Sequence, residues 1–410
     1  MPFGLYIHIP FCRSKCPYCG FCSFTDRESL IRMTDYAEAV SQELRMRLDS
    51  GLFSTGKPDT LYIGGGTPSI VPIAVIRTMI EPLMTVHAQE PSALSIESNL
   101  IPCDPCNPCN SWPVHAQEPV EFSIESNPES LTEHWLEGML ECGANRISIG
   151  IQSLDNTILE TLGRIHTADQ ARRAVSMARK AGFGNVAVDL MFGIPGQTMT
   201  SWEETLRGVL DCAPDHISCY SLSVEEDTAY FALMQKQELH IPDPGMTADM
   251  YARMAELLEA HGFHRYEISN FARRGFECRH NMAYWDHTPY LGLGVSAHSF
   301  DGAVRSWNGM VPEEYIASCR AGRLPVSGSE TLDSETQLME RIMLSLRTSA
   351  GLSLGLPGET EPSVTRTLNE LVERYIEAGY LERNGDRVRL TSKGAVVSDS
   401  LIAEIAAEIN

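Results

Sequence analysis

No stretch of the 410-residue chain approaches the roughly 20 uninterrupted apolar residues that a membrane-crossing helix needs. The N-terminus also lacks the basic-then-apolar pattern of a secretory signal. Both absences predict a cytoplasmic protein. Positive charge is scarce: 32 Lys and Arg stand against 54 Asp and Glu, a net charge of −22. Such a surface repels phosphate backbones and speaks against sequence-independent nucleic-acid binding, leaving only local basic patches for an anionic ligand. Cysteine, by contrast, is plentiful. Twelve of them in a chain with 43% hydrophobic and 21% charged residues fit metal ligation and free thiols in a reducing compartment better than a disulfide framework. The length suits one large domain plus a smaller one.

Up to about residue 225, β-rich runs alternate with amphipathic segments. The runs are LYIHIP, TLYIGGG, FSIESN, RISIGIQ, NVAVDLMF and HISCYSLSV, and segments such as 34–48, 132–142 and 167–181 lie between them. This is the βαβ rhythm of a parallel sheet with helices outside. About six repeats predict a partial (β/α)6 barrel over residues 1–225, with ligands collected at the carboxyl ends of the strands. Residues 226–330 carry a helix near 247–261 and the motifs RHNMAYW and YLGLGVSAHSF, and are expected to complete the cavity. Residues 331–410 read as two helices and then two strand-like runs joined through Asn384-Gly385, a strong hairpin signal. That pattern is similar to a winged-helix α+β module. Its mixed charges favour packing over DNA binding.

One irregularity interrupts the sheet. VHAQEPSALSIESN at 86–99 recurs as VHAQEPVEFSIESN at 114–127, too exact a copy for a fold repeat. The spacer LIPCDPCNPCNSWP reads as an irregular surface insertion. Its Cys103, Cys106 and Cys109 are idle thiols or a second metal site. Only one copy can occupy the strand, and the second is expected there because Glu125-Ser126-Asn127-Pro128 runs straight into the next helix.

The chemistry begins with Cys12, Cys16 and Cys19 in CRSKCPYC, directly after the strand-like GLYIHIP. Three soft thiolates on a tight loop can ligate three irons of a 4Fe–4S cube and leave the fourth iron open for a bidentate ligand. Zinc is the competing reading; it requires a fourth ligand, and Cys22 could supply one. After the second strand, Gly64-Gly65-Gly66-Thr67-Pro68-Ser69 lets backbone approach a ligand with no side chain in the way. Glu125, Gln152, Arg164 and Asp189 each lie at or beyond a strand end and could converge on one mouth.

CxxxCxxC followed by GGTP resembles the radical SAM superfamily, and over nearly its whole length the chain is similar to the oxygen-independent coproporphyrinogen III oxidases and their relatives. That resemblance implies a 4Fe–4S cluster on Cys12, Cys16 and Cys19. It implies S-adenosylmethionine (SAM) against Tyr6, Tyr18, Gly65, Gly66, Thr67, Glu125, Gln152, Arg164 and Asp189, with Glu97 a rival for Glu125 because of the duplication. His280-Asn281-Met282-Ala283-Tyr284-Trp285 matches HNxxYW, which resembles the haem-binding motif of the HemW-type haem chaperones within that group. The resemblance implies haem bound through His280, a low-potential electron donor, and delivery of haem to acceptor haemoproteins, membrane-bound ones among them. Physically, a neutral imidazole can ligate haem iron while Tyr284 and Trp285 offer flat apolar surface to a porphyrin; the bland alternative is a satisfied histidine beside buried aromatics. The other functional reading is a coproporphyrinogen III oxidase that decarboxylates propionate side chains. Two departures bear on it. Only eleven residues precede Cys12, so the extension associated with substrate handling in the oxidases is not expected, and Cys22 falls in CGFC, one residue later than in their CxxxCxxCxC.

Overall fold

The computed structural model describes residues 3–25, 31–50, 57–87, 120–355 and 361–409. Strands β1 (Gly4–Ile9), β2 (Thr60–Gly65), β3 (Glu121–Ser126), β4 (Arg146–Gln152), β5 (Asn185–Phe192) and β6 (His216–Ser221) pair in that order, all parallel. Helices return the chain between them: α1 (Met33–Asp49), α2 (Ile73–His87), α3 (Glu133–Glu141), α4 (Asn156–Thr161), α5 (Ala168–Ala181) and α6 (Met199–Leu210). Threonine marks several hand-overs from strand to helix. Thr132, Thr167 and Thr198 each accept a backbone N–H of the first turn, the last two within capping boxes.

Alternation along each strand sorts the residues into two faces. In β1, Leu5, Ile7 and Ile9 are fully buried in the main hydrophobic core, and in β4 Ile147, Ile149 and Ile151 are likewise. The opposite face carries Tyr6 and His8 in β1 and Arg146, Ser148, Gly150 and Gln152 in β4. An apolar outer face under the helices and a polar inner face is the arrangement a ligand-lined barrel requires.

The barrel stays open. β9 (Tyr290–Leu293) pairs parallel with the second edge of β1, and β10 (His298–Phe300), β11 (Val304–Asn308) and β12 (Val326–Thr331) extend from it antiparallel. At the other edge β8 (Asn270–Ala272) pairs antiparallel with β6, and β7 (His264–Arg265) with β8. The segment after β6 thus lengthens both edges of one twelve-stranded sheet. Its helices are α7 (Ala229–Gln235), α8 (Pro244–Ala260), α9 (Arg279–Trp285) and α10 (Pro312–Arg320).

The duplicated sequence resolves at β3, which the second copy forms. Residues 88–99 of the first copy, Glu97 among them, and Cys103, Cys106 and Cys109 lie outside the described residues.

A second core gathers Leu346, Leu368, Val372, Val388, Leu401 and Ile402. It is built by α11 (Ser334–Leu346), α12 (Pro362–Glu377), α13 (Ser392–Val396), α14 (Ser398–Ile409) and a small antiparallel sheet of β13 (Leu352–Ser353), β14 (Leu381–Asn384) and β15 (Arg387–Leu390). The hairpin forms, with its turn one residue later than the Asn-Gly pair suggests. Asn384 pairs with Arg387, leaving Gly385-Asp386 as the turn, with φ 65° at Gly385; a glycine at the first central position is the type II′ preference. Among the described residues no helix is long and apolar enough to cross a membrane.

Candidate functional site

A cavity of about 900 Å³ opens at the carboxyl ends of the parallel strands. Eleven of the thirteen residues expected in the site line it: Cys12, Cys16, Tyr18, Cys19, Gly65, Gly66, Thr67, Glu125, Gln152, Arg164 and Asp189. Beyond residue 225, Glu226 and Asn281 reach it.

The cysteine loop is pinned at both ends. Phe11 and Phe24 form a β-bridge, with Cys12 N–H donating to the Phe24 carbonyl at 3.0 Å and Phe24 N–H to the Pro10 carbonyl at 2.6 Å. Lys15 Nζ closes the turn on the Phe21 carbonyl at 2.6 Å, and His8 Nε2 lies 2.8 Å from the Cys22 carbonyl. A backbone crossing packs against this loop: Gly66 N–H donates to the Ile9 carbonyl at 2.6 Å and Thr67 N–H to the Phe11 carbonyl at 2.8 Å. The glycines are required there. Gly65 has φ 114°, and a Cβ on Gly66 would lie 2.6 Å from the Phe11 carbonyl and 3.0 Å from Cys12 Sγ.

Across the mouth, hydrogen bonds link two cysteine sulfurs. Thr67 Oγ1 donates to Cys12 Sγ at 3.5 Å, Asn127 Nδ2 donates to Thr67 Oγ1 at 3.1 Å, and Arg164 Nη2 donates to Asn127 Oδ1 at 2.8 Å. The same guanidinium donates to the Gly150 carbonyl at 2.8 Å and, through Nη1, to Cys16 Sγ at 3.6 Å. Among the described residues no three His, Cys, Asp or Glu side chains draw together as a single ion would require. Cys12, Cys16 and Cys19 share one cavity wall, and three thiolates can each ligate one iron of a polynuclear cluster. Cys22 does not join them: its Sγ points to the Met310 carbonyl at 3.9 Å, and it is absent from the cavity wall. The zinc reading loses its fourth ligand.

Deeper in, Glu125 and Asp189 form an acidic pair. Glu125 accepts from Tyr62 Oη at 2.8 Å and Gly65 N–H at 3.0 Å, and Ser148 Oγ donates to Asp189 at 3.0 Å. Burial first and the neighbouring Asp189 second push the Glu125 carboxyl up to about 7, and burial raises Asp189 too. Gln152 ends β4 at φ 66° beside a register shift, a left-handed non-glycine position of the kind found at ligand sites.

Two expectations need correction. Tyr6 is not on the cavity wall; its hydroxyl lies 3.0 Å from His8 Nδ1, inside the barrel. His280, expected as an iron ligand, is 1% exposed. Its Nδ1 lies 2.7 Å from Thr60 Oγ1 and its Nε2 3.0 Å from Tyr284 Oη. Burial, with Arg146 nearby, lowers its pKa to about 3, so the ring is neutral with both nitrogens engaged. The residues present do not fit iron ligation at His280 in this arrangement.

Sequence reasoning also missed Asn127, Tyr62 and Arg146. Asn127 carries a signal, since it closes the strand run FSIESN. Tyr62 carries only its inward phase in TLYIGGG. Arg146 reads as the mere start of RISIGIQ, yet it lies on the cavity floor, 2% exposed.

Residues 6–209 match the model of the radical SAM superfamily and residues 332–397 that of the HemN C-terminal domain. The chain is 32% identical to the haem chaperone HemW of Bacillus subtilis, over 98% of this chain and 99% of that one. It is 31% identical to HemW of Mycobacterium tuberculosis, over 98% and 94%. It is 30% identical to the mitochondrial radical S-adenosyl methionine domain-containing protein 1 of Bos taurus, over 99% and 88%. Among solved structures, coproporphyrinogen III oxidase (HemN) from Escherichia coli superposes with a TM-score of 0.75 at 20% identity, covering 98% of this chain and 90% of that one. That likeness shows the fold.

Proposed function

The chain belongs to the radical SAM superfamily and, within it, to the HemW haem chaperone family, and from that premise we propose that it binds a 4Fe–4S cluster, S-adenosylmethionine and haem, and delivers haem to acceptor haemoproteins. Cys12, Cys16 and Cys19 hold the cluster. So held, a cluster supplies low-potential one-electron chemistry and an open iron for chelation. Gly65, Gly66 and Thr67 present backbone to the amino-acid end of SAM. The acidic pair Glu125 and Asp189 attracts its cationic groups, and Arg164 its carboxylate. Gln152 and Tyr18 line the remaining walls. The iron ligand of haem is not assigned, because His280 has no free nitrogen. The reading includes a cytoplasmic location, a low-potential electron donor and membrane-bound haemoproteins among the acceptors.

The observation that carries this reading is the hydrogen-bonded run Cys12–Thr67–Asn127–Arg164–Cys16. It binds cysteine loop, GGTP segment and strand ends into one wall of the cavity. The test is an anaerobic haem titration of the cluster-reconstituted protein, followed by SAM, dithionite and coproporphyrinogen III. Saturable one-to-one haem uptake with transfer to an apo-haemoprotein supports the chaperone. Protoporphyrinogen formed over many turnovers makes it an oxidase instead.

A further inference from the structure

The HNxxYW motif does not reach the cavity through its histidine, yet that histidine is wired to the cavity. Its ring stands at the amino ends of β1 and β2, between Thr60 Oγ1 at 2.7 Å and Tyr284 Oη at 3.0 Å. A Cβ on Gly4 would lie 3.3 Å from its Cε1 and Nδ1, so the pocket around it is full. The ring stacks on Tyr62, centroids 5.1 Å apart at 26°, and on Tyr6 at 6.4 Å and 27°.

Each tyrosine then carries a hydrogen bond one layer further up the barrel. Tyr62 Oη donates to Glu125 Oε1 at 2.8 Å, while the other oxygen of that carboxylate takes the Gly65 N–H. Tyr6 Oη lies 3.0 Å from His8 Nδ1, and His8 Nε2 lies 2.8 Å from the Cys22 carbonyl that closes the cysteine loop. We infer that His280 is a positioning residue: its ring fixes Tyr62 and Tyr6, and through them orients Glu125 and the cysteine loop.

Two features of the geometry favour this role over iron ligation. Both ring nitrogens are bonded to protein hydroxyls at ordinary hydrogen-bond lengths, which leaves no gap for a metal between donor and acceptor. Breaking either bond to free a nitrogen would strand a buried hydroxyl. It would also pull the ring off Tyr62, loosening the phenol that aligns Glu125. Coupling through a stacked ring and one hydrogen bond is short, and it places the motif's influence on SAM binding.

The inference rests on the SAM reading of the cavity, and the test separates the two. SAM affinity is measured by equilibrium dialysis on the cluster-reconstituted full chain, and haemin affinity by Soret titration. His280→Ala removes the ring and weakens SAM about tenfold, the scale of one mis-set hydrogen bond to a charged group. Tyr62→Phe weakens it about fivefold, and the double variant is no worse than His280→Ala alone, because both act through one bond. The triple variant Thr60→Val/His280→Phe/Tyr284→Phe keeps the stacked ring, removes both nitrogens and leaves no stranded hydroxyl. It recovers SAM affinity to within about threefold of wild type and retains the Soret band, and it carries the test if His280→Ala fails to fold. The inference is overturned if the triple variant loses the haem band while SAM stays bound, if His280→Ala leaves SAM affinity within about twofold, or if the two single effects multiply. Wild-type protein that binds no SAM would instead defeat the proposed function, and this inference with it.

Discussion

Lowering the pH from 8 to 6 weakens SAM binding through Glu125. The carboxyl lies at about 7, raised by burial and by Asp189. SAM brings an ammonium and a sulfonium, and their attraction to this wall requires the ionised carboxylate. With a midpoint of 7, about 91% of Glu125 is ionised at pH 8 and about 9% at pH 6. Affinity therefore falls about tenfold over that interval, or about 1.4 kcal/mol. The same shift acts on folding with a definite sign. A carboxyl raised above its unfolded value contributes stability below the unfolded pKa of about 4.5, and loses it as pH rises through 7. Glu125 lines a cavity, so solvent reduces that contribution. The assay is equilibrium dialysis of SAM between pH 6 and 8, corrected for the ligand's own α-amino group, which titrates near about pH 8. Glu125→Gln flattens the profile at the weak-binding level. A wild-type profile already flat over this range, or a Gln variant that keeps the slope, refutes the reasoning.

Cys12→Ala abolishes the visible absorbance of the reconstituted cluster, whereas Cys22→Ala retains it, because Cys22 Sγ faces the Met310 carbonyl; iron and sulfide analysis checks both. Gly66→Ala forces a Cβ to 2.6 Å from the Phe11 carbonyl, so the GGTP crossing shifts off the cysteine loop. Reconstitution then reaches less than half the wild-type iron content, and full loading would contradict the close packing. Asn127→Leu breaks the bonds to Thr67 and Arg164 and costs about 2–4 kcal/mol, from one neutral and one charged partner. Urea unfolding followed by tryptophan fluorescence reads this, and a midpoint unchanged from wild type would remove Asn127 from the wall.

The alternation of β-rich runs such as RISIGIQ and NVAVDLMF with amphipathic segments made the parallel strands legible, and spacing alone marked the cysteine loop. Position at a strand end brought Glu125, Gln152, Arg164 and Asp189 to one mouth. What the sequence concealed are contacts made across great separations. His280 is expected as a ligand only through the resemblance of HNxxYW to a haem-binding motif, and its partner Thr60 stands 220 residues away. Tyr62 hides inside a strand run, since its use depends on a phenol crossing to β3. The hairpin turn moved by one residue because register follows cross-strand pairing rather than the dipeptide.

β1 is the first of the described strands in chain order, yet it ends as an interior strand, between β2 and β9. Its second neighbour begins at Tyr290. At roughly 5–20 residues per second, synthesis of the intervening chain lasts roughly 15–60 s. Throughout that interval one edge of β1 is an open hydrogen-bonding template, of the kind that recruits strange strands. The cysteine loop hangs from the end of this same strand, so iron delivered to a nascent chain meets three thiols on a half-built sheet. A cluster on these thiols would rest on a completed sheet only once β9 has paired with β1.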